Sequence, residues 1–450
     1  MTIPQIKNYI EKEGTTLLPE KFSICPQLSA DSDIFYQYIR KYKPNARLSK
    51  AEGKVIYDNT LEAEEYRITV SDSVTIFASG NISLNHAFAS LVQLTDSNGA
   101  LKKCEISDKP DFPYRSFMVD VGRQTHPIKY ILDYLDLCWL YKLSCIQLHL
   151  SDDPGVAVPI KSFPNLATEG RAYTPDEIRQ INLYAKERGI SIVPELEVPG
   201  HAEQFMKKYP EIFGSLNIVS ACDEVFEALY KIYDDIIELF PYSEYIHIGG
   251  DEASIGEWQN CERTQQYMKA NNISSIDEMY AEFVRKVTDY ILSKGKTPIV
   301  WEGFGKEYND RIDKRVIVVS WENYYQTTMD LAKAGFTLIN CSWQPLYIVT
   351  PIKYWESKDI LEKWNIYNWQ HWWDKSKAYG DIGITVKETD INLLGAQLCA
   401  WGNELASYED YEKGCKEEYD LVKDRLPALA EKSWNKDSKM TDREYKEILL

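Results

Sequence analysis

The sequence predicts a (β/α)8 barrel preceded by a small α+β domain. Eight short apolar segments follow one another after residue 110, and amphipathic helical segments fit between most of them. Strands that are apolar throughout and separated by helices are typical of a parallel sheet. Eight such units in about 300 residues are typical of a parallel sheet closed into a barrel.

The first 110 residues form a separate unit in this prediction. The segment "EEYRITVSDSVTIFAS" has the pattern of two strands, and "SLNHAFASLVQL" has the spacing of a helix with Ser83 as its N-cap. The segment "SDKPDFP" is rich in proline and aspartate, which favours a boundary. We therefore expect a small α+β domain over residues 1–110 and a barrel with a C-terminal helical extension over residues 111–450.

The predicted barrel strands are short apolar runs. The fifth unit is the weakest, because no long helix separates Trp301 from Val316. An open doubly wound sheet is the alternative, but it requires a glycine-rich phosphate loop after its first strand, and "DVGRQTHP" is not such a loop. The predicted strands cover residues 115–121, 144–151, 190–198, 245–250, 298–303, 316–321, 336–343 and 393–401.

The composition excludes some partners and favours others. A formal net charge of −18 disfavours nucleic acid and anionic membrane surfaces as partners. No apolar run is long enough to cross a bilayer, so we expect no membrane partner. The chain has 12 Trp and 31 Tyr, and such aromatic rings provide the flat apolar faces on which a pyranose stacks, although ordinary packing explains most of them. Nothing in the sequence predicts an oligomeric state.

The cysteines do not indicate a disulfide framework. There are nine, an odd number, and none form a CxxC pair. Reduced thiols in the cytoplasm are the simplest interpretation. The N-terminal segment "MTIPQIKNYIEKEG" has no signal-peptide pattern, although a protein exported and then trimmed would look the same.

Polar and aromatic side chains follow the ends of the predicted strands. In a barrel of this class these positions converge on the face that carries the chemistry. Acids and tryptophans dominate them, which favours a neutral polyhydroxylated ligand such as a sugar. Singly, each has a structural explanation, since an acid after a strand can cap the next helix and a histidine within a strand can pack in the core. The residues are Asp120, Arg123, His149, Asp152, Asp153, Glu195, Glu197, His201, His247, Asp251, Glu252, Trp301, Glu302, Trp321, Glu322, Trp343, Tyr347, Trp401 and Glu404.

Four motifs in their order along the chain carry a family resemblance. The runs "YRSFMVDVGR", "HLSDDPG", "PELEVPGHAE" and "HIGGDEA" resemble the β-N-acetylhexosaminidases of glycoside hydrolase family 20. The helix "SLNHAFASLVQL" also resembles a helix of the small domain that precedes the barrel in that family. The resemblance implies exo-acting hydrolysis of β-linked GlcNAc or GalNAc with retention, without a metal ion or an organic cofactor.

The same resemblance implies roles for individual residues. The 2-acetamido oxygen of the substrate attacks the anomeric carbon in this family, so the two adjacent acids divide the work. Glu252 is the expected general acid, with a pKa raised by its neighbour, and Asp251 is expected to stabilise the oxazolinium ion. Asp152 and His201 are expected to tune Glu252, and Glu197 to lie behind them. Residues expected to bind the sugar are Arg115, Trp301, Trp321, Tyr347 and Trp401.

Three segments depart from the family pattern. Val349 stands where the family often has an aspartate that binds sugar hydroxyls. After the last strand, "AWGNE" places Asn403 at the usual position of a glutamate and Glu404 one residue later, so either residue is a candidate for binding the sugar. The tract "DDPGVAVPI" lacks the aromatic and basic residues of many members. Recognition at C4 and C6 of the sugar therefore stays open.

Two other functions remain as alternatives. A metal-dependent barrel hydrolase could use His149, Asp152, His201, His247 and Asp251 as ligands, but no strand carries a His-x-His pair. A non-catalytic amino-sugar-binding barrel is the other alternative. The presence of both adjacent acids together with Tyr347 and the tryptophans favours an enzyme.

Overall fold

The N-terminal part of the chain is a sheet covered by helices. The computed structural model describes residues 1–29, 32–350, 353–370, 383–403, 405 and 410–450. Its first elements are β1 (Asn8–Leu17), β2 (Phe22–Ile24), α1 (Ser32–Tyr42), β3 (Gly53–Tyr57), β4 (Tyr66–Val70), β5 (Val74–Ala78), α2 (Asn81–Leu94) and β6 (Ala100–Asp108). The strands form one sheet in the order β1-β6-β4-β5-β3-β2.

The two predicted strands and the predicted helix are all present in this sheet domain. β4 and β5 pair antiparallel with Ile68 opposite Ile76. The N-cap prediction is wrong, since α2 begins at Asn81 with Gly80 as its N-cap. Ser83 is the third helical residue, and its hydroxyl accepts from the backbone N–H groups of Ser79 at 3.0 Å and of Gly80 at 3.1 Å. The Ser83 hydroxyl therefore accepts hydrogen bonds from amides that precede the helix and not from the first amides of the helix itself.

The second part of the chain alternates strands and helices. In chain order its elements are β7 (Tyr114–Asp120), α3 (Ile128–Leu140), β8 (Cys145–His149), β9 (Ser151–Asp152), β10 (Gly155–Val156), α4 (Pro175–Glu187), β11 (Ser191–Glu195), α5 (Glu203–Lys208), α6 (Pro210–Phe213), α7 (Asp223–Leu239), β12 (Tyr245–His247), α8 (Glu262–Ala270), α9 (Ile276–Ser293), β13 (Thr297–Trp301), β14 (Ile317–Ser320), α10 (Thr328–Lys333), β15 (Thr337–Asn340), α11 (Trp343–Leu346), β16 (Tyr347–Val349), β17 (Lys353–Tyr354), β18 (Asn368–Trp369), β19 (Ile384–Thr385), β20 (Asn392–Trp401), α12 (Tyr411–Trp434) and α13 (Asp442–Ile448).

The strands β7, β8, β11, β12, β13, β14, β15 and β20 close into a parallel barrel. Each pairs in parallel with its neighbour, and β15 also pairs with β20, which closes the ring. The predicted barrel and all of its strands are confirmed. The fifth unit connects β13 to β14 through the 3-10 turn Lys306–Arg311 without an α-helix, as the sequence indicated. All carboxyl ends of the strands face one side, so the side chains that follow them meet there.

The C-terminal helices pack on the barrel. Helix α12 contacts β20, β7 and α3, the position of a barrel helix, so the predicted extension begins as part of the barrel wall. No described helix combines the length and the apolar character needed to cross a bilayer.

A buried ionic cluster joins the sheet domain to the amino-terminal end of the barrel strands. The side chain of Arg115 at the start of β7 is fully buried and pairs with Glu64 of the sheet domain. Lys142 is also fully buried, and its Nζ lies 2.8 Å from the hydroxyl of Tyr66 and 3.4 Å from Asp108 Oδ2. Burial lowers the pKa of Lys142 to about 8. The buried charges of Arg115 and Lys142 are therefore compensated by carboxylates of the sheet domain.

Candidate active site

A cavity of about 180 Å³ opens at the carboxyl ends of the barrel strands. Two adjacent acids, Asp251 and Glu252, line it directly after β12. They are joined there by Asp152 and His201, which follow the second and third barrel strands. The cavity also contains aromatic rings from the later strands, so carboxylates face an apolar wall.

The turn between β12 and the two acids contains two glycines, and its backbone conformation explains why. Gly249 has φ +71° and Gly250 has φ +99°. Gly250 N–H donates to Glu197 Oε1 at 2.6 Å, and Gly249 N–H donates to His247 Nδ1 at 2.9 Å. A Cβ at Gly249 would lie 1.7 Å from Glu197 Oε2, so no larger residue fits there. The strand therefore turns sharply and delivers two consecutive acids into the cavity.

The two acids point into different environments. Asp251 is buried, with 8% of its surface exposed. Glu252 follows with φ +46°, which is uncommon for a residue with a Cβ, and its side chain is 53% exposed. Backbone strain of this kind is concentrated at functional sites, where the surroundings hold it in place. The unusual backbone conformation at Glu252 makes the two neighbouring carboxylates point in different directions.

A relay of side chains leads to Glu252. His201 Nδ1 lies 3.5 Å from Asp152 Oδ1, and His201 Nε2 lies 3.4 Å from Glu252 Oε2. Burial disfavours the charge on His201, but its hydrogen bonds to Asp152 and Glu252 outweigh burial and raise its pKa to about 12. His201 is therefore an imidazolium ion that joins two carboxylates.

The pKa values of Asp251 and Glu252 differ from those that the sequence predicted. The hydrogen bond from His201 lowers the pKa of Glu252 below its usual value of 4.5. Burial, with a further contribution from the charge of Glu252, raises the pKa of Asp251 to about 6. The expected raised pKa of Glu252 is wrong for the free protein, because the cation on His201 outweighs the neighbouring acid.

The relay extends into the barrel interior. Asp152 Oδ2 lies 3.0 Å from His149 Nε2, and His149 Nδ1 lies 2.7 Å from Glu195 Oε2. Both ring nitrogens of His149 face carboxylates, and these partners raise its pKa well above 6.5 despite burial. Glu195 also accepts from Gln147 at 2.8 Å and from the indole of Trp301 at 2.6 Å. The base of the site is thus a connected polar network.

Aromatic side chains form one wall of the cavity. The rings of Trp321 and Tyr347 are nearly parallel, with centroids 6.1 Å apart. The ring centroids of Trp343 and Trp401 lie 4.4 and 6.0 Å from the ring centroid of Tyr347. The loop that carries Trp321 is held by Glu302, which accepts from its backbone N–H at 3.2 Å. A flat apolar ligand face can pack against these rings while polar groups reach the acids.

The comparison with known proteins agrees with this arrangement. Residues 112–437 match the family described as glycosyl hydrolase family 20, catalytic domain. The chain belongs to that family.

Several relatives are named β-hexosaminidases. The chain is 29% identical over 320 residues to a β-hexosaminidase of Vibrio furnissii, which aligns 62% of this chain with 52% of that protein. It is 26% identical over 343 residues to β-hexosaminidase 3 of Arabidopsis thaliana, which aligns 74% of this chain with 59% of that protein. The chain therefore spans little more than half the length of these relatives.

Solved family 20 structures have the same fold. A β-N-acetylhexosaminidase from Bacteroides fragilis superposes with a TM-score of 0.78 at 21% identity, covering 99% of this chain and 93% of that chain. An exo β-N-acetylglucosaminidase from Vibrio harveyi, in complex with N-acetylglucosamine, superposes with a TM-score of 0.79 at 24% identity, covering 99% of this chain and 75% of that chain.

Most predicted site residues of this family 20 barrel meet in the cavity, but Arg115 does not. It opens β7 and therefore lies at the opposite end of the barrel, paired with Glu64. The cavity instead contains Arg123, which follows the same strand. The rule that the site lies at the carboxyl ends of strands locates Arg123 on this face, whereas Arg115 is implied by the family resemblance. The predicted residues that line the cavity are Asp152, His201, Asp251, Glu252, Trp321, Tyr347, Trp401 and Asn403.

Trp301 lies beneath the cavity instead of lining it. It is 1% exposed, donates to Glu195 and packs 6.0 Å from the ring of Trp401. Glu197 lies behind the acids, as expected, where it holds the glycine turn. The cavity also contains Val349, so no carboxylate stands at that position of the rim. Glu404 lies outside the described residues.

Three side chains that the strand-end pattern located, but to which no role at the sugar was assigned, complete the site. Arg123 Nη1 lies 2.9 Å from Asp120 Oδ2, Arg123 Nη2 lies 2.8 Å from Asp152 Oδ2, and the guanidinium covers the ring of Trp401 at 5.1 Å. Trp343 and His149 also line the cavity. All three stand in the sequence directly after or within barrel strands, which is the signal that located them.

Some of these side chains could in principle hold a metal ion. His149 with Glu195 and Glu197, Asp152 with Asp153 and His201, and His201 with Asp251 and Glu252 form compact groups of possible ligands. A ligating imidazole must offer a free nitrogen lone pair. Both nitrogens of His149 and of His201 face carboxylates, and both residues have raised pKa values. The donor set therefore fits a proton relay, and activity in chelator-treated buffer tests the metal-dependent alternative.

Proposed function

We propose that the protein is an exo-acting, retaining β-N-acetylhexosaminidase that removes terminal β-linked GlcNAc or GalNAc from glycans. The observation that carries this proposal is the relay from Asp152 through His201 to Glu252, beside the buried Asp251 in a cavity with an aromatic wall. The names of the family 20 relatives and the N-acetylglucosamine bound by the Vibrio harveyi enzyme support the same substrate class.

The small size of the cavity supports exo action. A volume of about 180 Å³ with an aromatic wall suits one sugar ring entering by its non-reducing end. Arg123 and Asn403 line this cavity and offer hydrogen-bond donors for ring hydroxyls. The aromatic wall confines the acetamido group, so that its oxygen is held near the anomeric carbon before reaction begins.

In the first step Glu252 donates its proton to the glycosidic oxygen. The acetamido oxygen attacks the anomeric carbon as the bond to the leaving group breaks, and an oxazolinium ion forms. Asp251 accepts a hydrogen bond from the acetamido N–H and stabilises the positive charge, a role for which its buried position beside the cavity is suited. Tyr347 lines the cavity, and in this proposal its hydroxyl donates to the acetamido oxygen.

In the second step Glu252 acts as a base. Its carboxylate takes a proton from water, the water oxygen attacks the anomeric carbon, and the acetamide is regenerated with net retention. The lowered pKa of Glu252 in the free protein suits this step. A bound sugar covers the half-exposed carboxyl and excludes water, which raises its pKa for the first step.

The experiment that tests the function is hydrolysis of aryl β-N-acetylglucosaminide and β-N-acetylgalactosaminide in chelator-treated buffer. A GlcNAc-thiazoline, which mimics the oxazoline intermediate, is expected to block turnover. The ratio of the two rates measures recognition at C4. Thiazoline binding without turnover of either substrate would favour a non-catalytic sugar-binding barrel. Loss of activity on chelation would favour a metal-dependent hydrolase.

A further inference from the structure

The loop between β7 and α3 carries Arg123 into the cavity, and helix α12 fastens this loop from outside. His126 lies in the loop at residues 121–127, and its Nε2 lies 2.8 Å from Glu418 Oε1 on α12. Both side chains are fully buried. The hydroxyl of Tyr134 donates to the same carboxylate oxygen at 3.0 Å.

Both ring nitrogens of His126 have hydrogen-bond partners. Its Nδ1 lies 3.1 Å from the carbonyl oxygen of Gln124, which can only accept a hydrogen bond, so Nδ1 carries a proton. Its Nε2 lies 2.8 Å from the carboxyl group of Glu418. Glu418 also raises the pKa of His126, outweighing burial. A buried ion pair is weak evidence for stability, so the role of this pair is argued from what it holds in place.

Other contacts hold the same loop at neighbouring atoms. The hydroxyl of Tyr411 on α12 donates to the carbonyl of Thr125, and Tyr173 donates to the carbonyl of His126 at 2.7 Å. Arg171 donates to the carbonyl of Arg123 at 2.6 Å. The loop backbone is therefore determined by side chains from outside it, and α12 supplies two of them.

We propose that the His126–Glu418 pair is a positioning device that makes helix α12 part of the substrate-binding apparatus by holding Arg123 in the cavity. The guanidinium of Arg123 bridges Asp120 and Asp152 at the ends of two strands and covers Trp401 at the end of a third. It reaches all three only if the loop backbone stays in place. This inference rests on the proposed function, in which Arg123 binds the sugar.

The test compares Glu418→Gln with Glu412→Gln, which removes an exposed acid from the same helix. Glu418→Gln keeps the shape of the side chain but removes its charge. We expect KM for the aryl β-N-acetylglucosaminide to rise roughly 3- to 30-fold, with a smaller change in kcat, and no change in Glu412→Gln. In an Arg123→Gln background the rise in KM should vanish, because Glu418 acts through Arg123.

Hydrogen exchange supplies a readout that does not depend on the substrate. The amides of residues 121–127 should exchange faster in Glu418→Gln than in the wild type or in Glu412→Gln. If Glu418→Gln does not fold, Tyr411→Phe should give a smaller change in the same direction in both measurements. Unchanged KM and unchanged exchange in a folded variant would overturn the proposal, as would a rise in KM that persists without Arg123.

The two proposals can fail separately. If the wild type hydrolyses neither aryl substrate and does not bind the thiazoline, the proposed function fails. The exchange of residues 121–127 then decides whether Glu418 holds the loop.

Discussion

His201 Nε2 lies 3.4 Å from Glu252 Oε2, and this contact reverses the acidities of the two adjacent carboxyl groups. The imidazolium lowers the pKa of Glu252, whereas burial raises the pKa of Asp251 to about 6. At pH values between these two pKa values, the free protein holds the single proton of the pair on Asp251. In the proposed mechanism the first step needs this proton on Glu252, so the bound sugar has to move it.

The pH dependence follows from this proton count. Asp251 has a raised pKa, so the pair holds one proton at pH values between the lowered pKa of Glu252 and about 6, and none above. We expect kcat/KM to fall about tenfold per pH unit above pH 6, because this quantity reports the free enzyme. The alkaline limb of kcat should lie at higher pH, since the bound sugar desolvates Glu252.

Asp251→Asn supplies the control for the pH prediction. Without the carboxyl group of Asp251, the limb near pH 6 should disappear from the profile of kcat/KM. A limb that stayed in place would assign the proton to another group. Coincident limbs of kcat and kcat/KM would contradict the shift on sugar binding.

The loss of activity on replacing the proposed general acid should depend on the leaving group of the substrate. Glu252→Gln removes the proton donor, so we expect hydrolysis of substrates with poor leaving groups to fall by roughly 100- to 10,000-fold. Activated aryl glycosides need less protonation and should lose less. Asp251→Asn should instead weaken hydrolysis of both substrate types, because the oxazolinium ion forms with each. Equal losses in Glu252→Gln would count against its role as the acid.

The relay can be tested with two neighbouring aspartates. Asp152 is buried and contacts His201 at 3.5 Å, whereas Asp153 is 51% exposed and lies 3.8 Å from the same nitrogen. Asp152→Asn should lower kcat by about 10- to 100-fold, because His201 loses the partner that orients it. Asp153→Asn should change kcat by less than about twofold, since exposed pairs contribute little. Similar kinetics in the two variants would show that the relay does not depend on Asp152.

The sequence predicted the fold well because periodicity is a local property. The barrel strands are apolar runs separated by helical patterns, and the relay residues follow strand ends. The pKa values could not be predicted in the same way, since His201 and Glu252 are distant in sequence and meet only in the folded barrel. Trp301 was misplaced because a strand-end tryptophan can point into the barrel or toward the cavity, and the sequence does not distinguish the two directions.

The glycine turn should tolerate no side chain at Gly249. Gly249→Ala places a Cβ against the carboxylate of Glu197 at a backbone conformation of φ +71°. We expect activity to fall at least about 100-fold, because both acids are displaced. Gly256→Ala is the control, since nothing lies within 4 Å of a Cβ there. Circular dichroism should show both variants folded, and full activity in Gly249→Ala would mean that the turn does not set the direction of the acids.

The ion pair of Arg115 should affect stability without affecting substrate binding. Glu64→Gln leaves the fully buried guanidinium without its carboxylate partner. We expect the free energy of unfolding to fall by about 2–4 kcal/mol, because an unpaired buried charge is costly. KM and kcat should stay within about twofold of the wild type, since Arg115 lies at the opposite end of β7 from the cavity. Denaturant unfolding measures the stability, and steady-state kinetics measure KM and kcat. A large rise in KM at unchanged stability would show that Arg115 contributes to substrate binding.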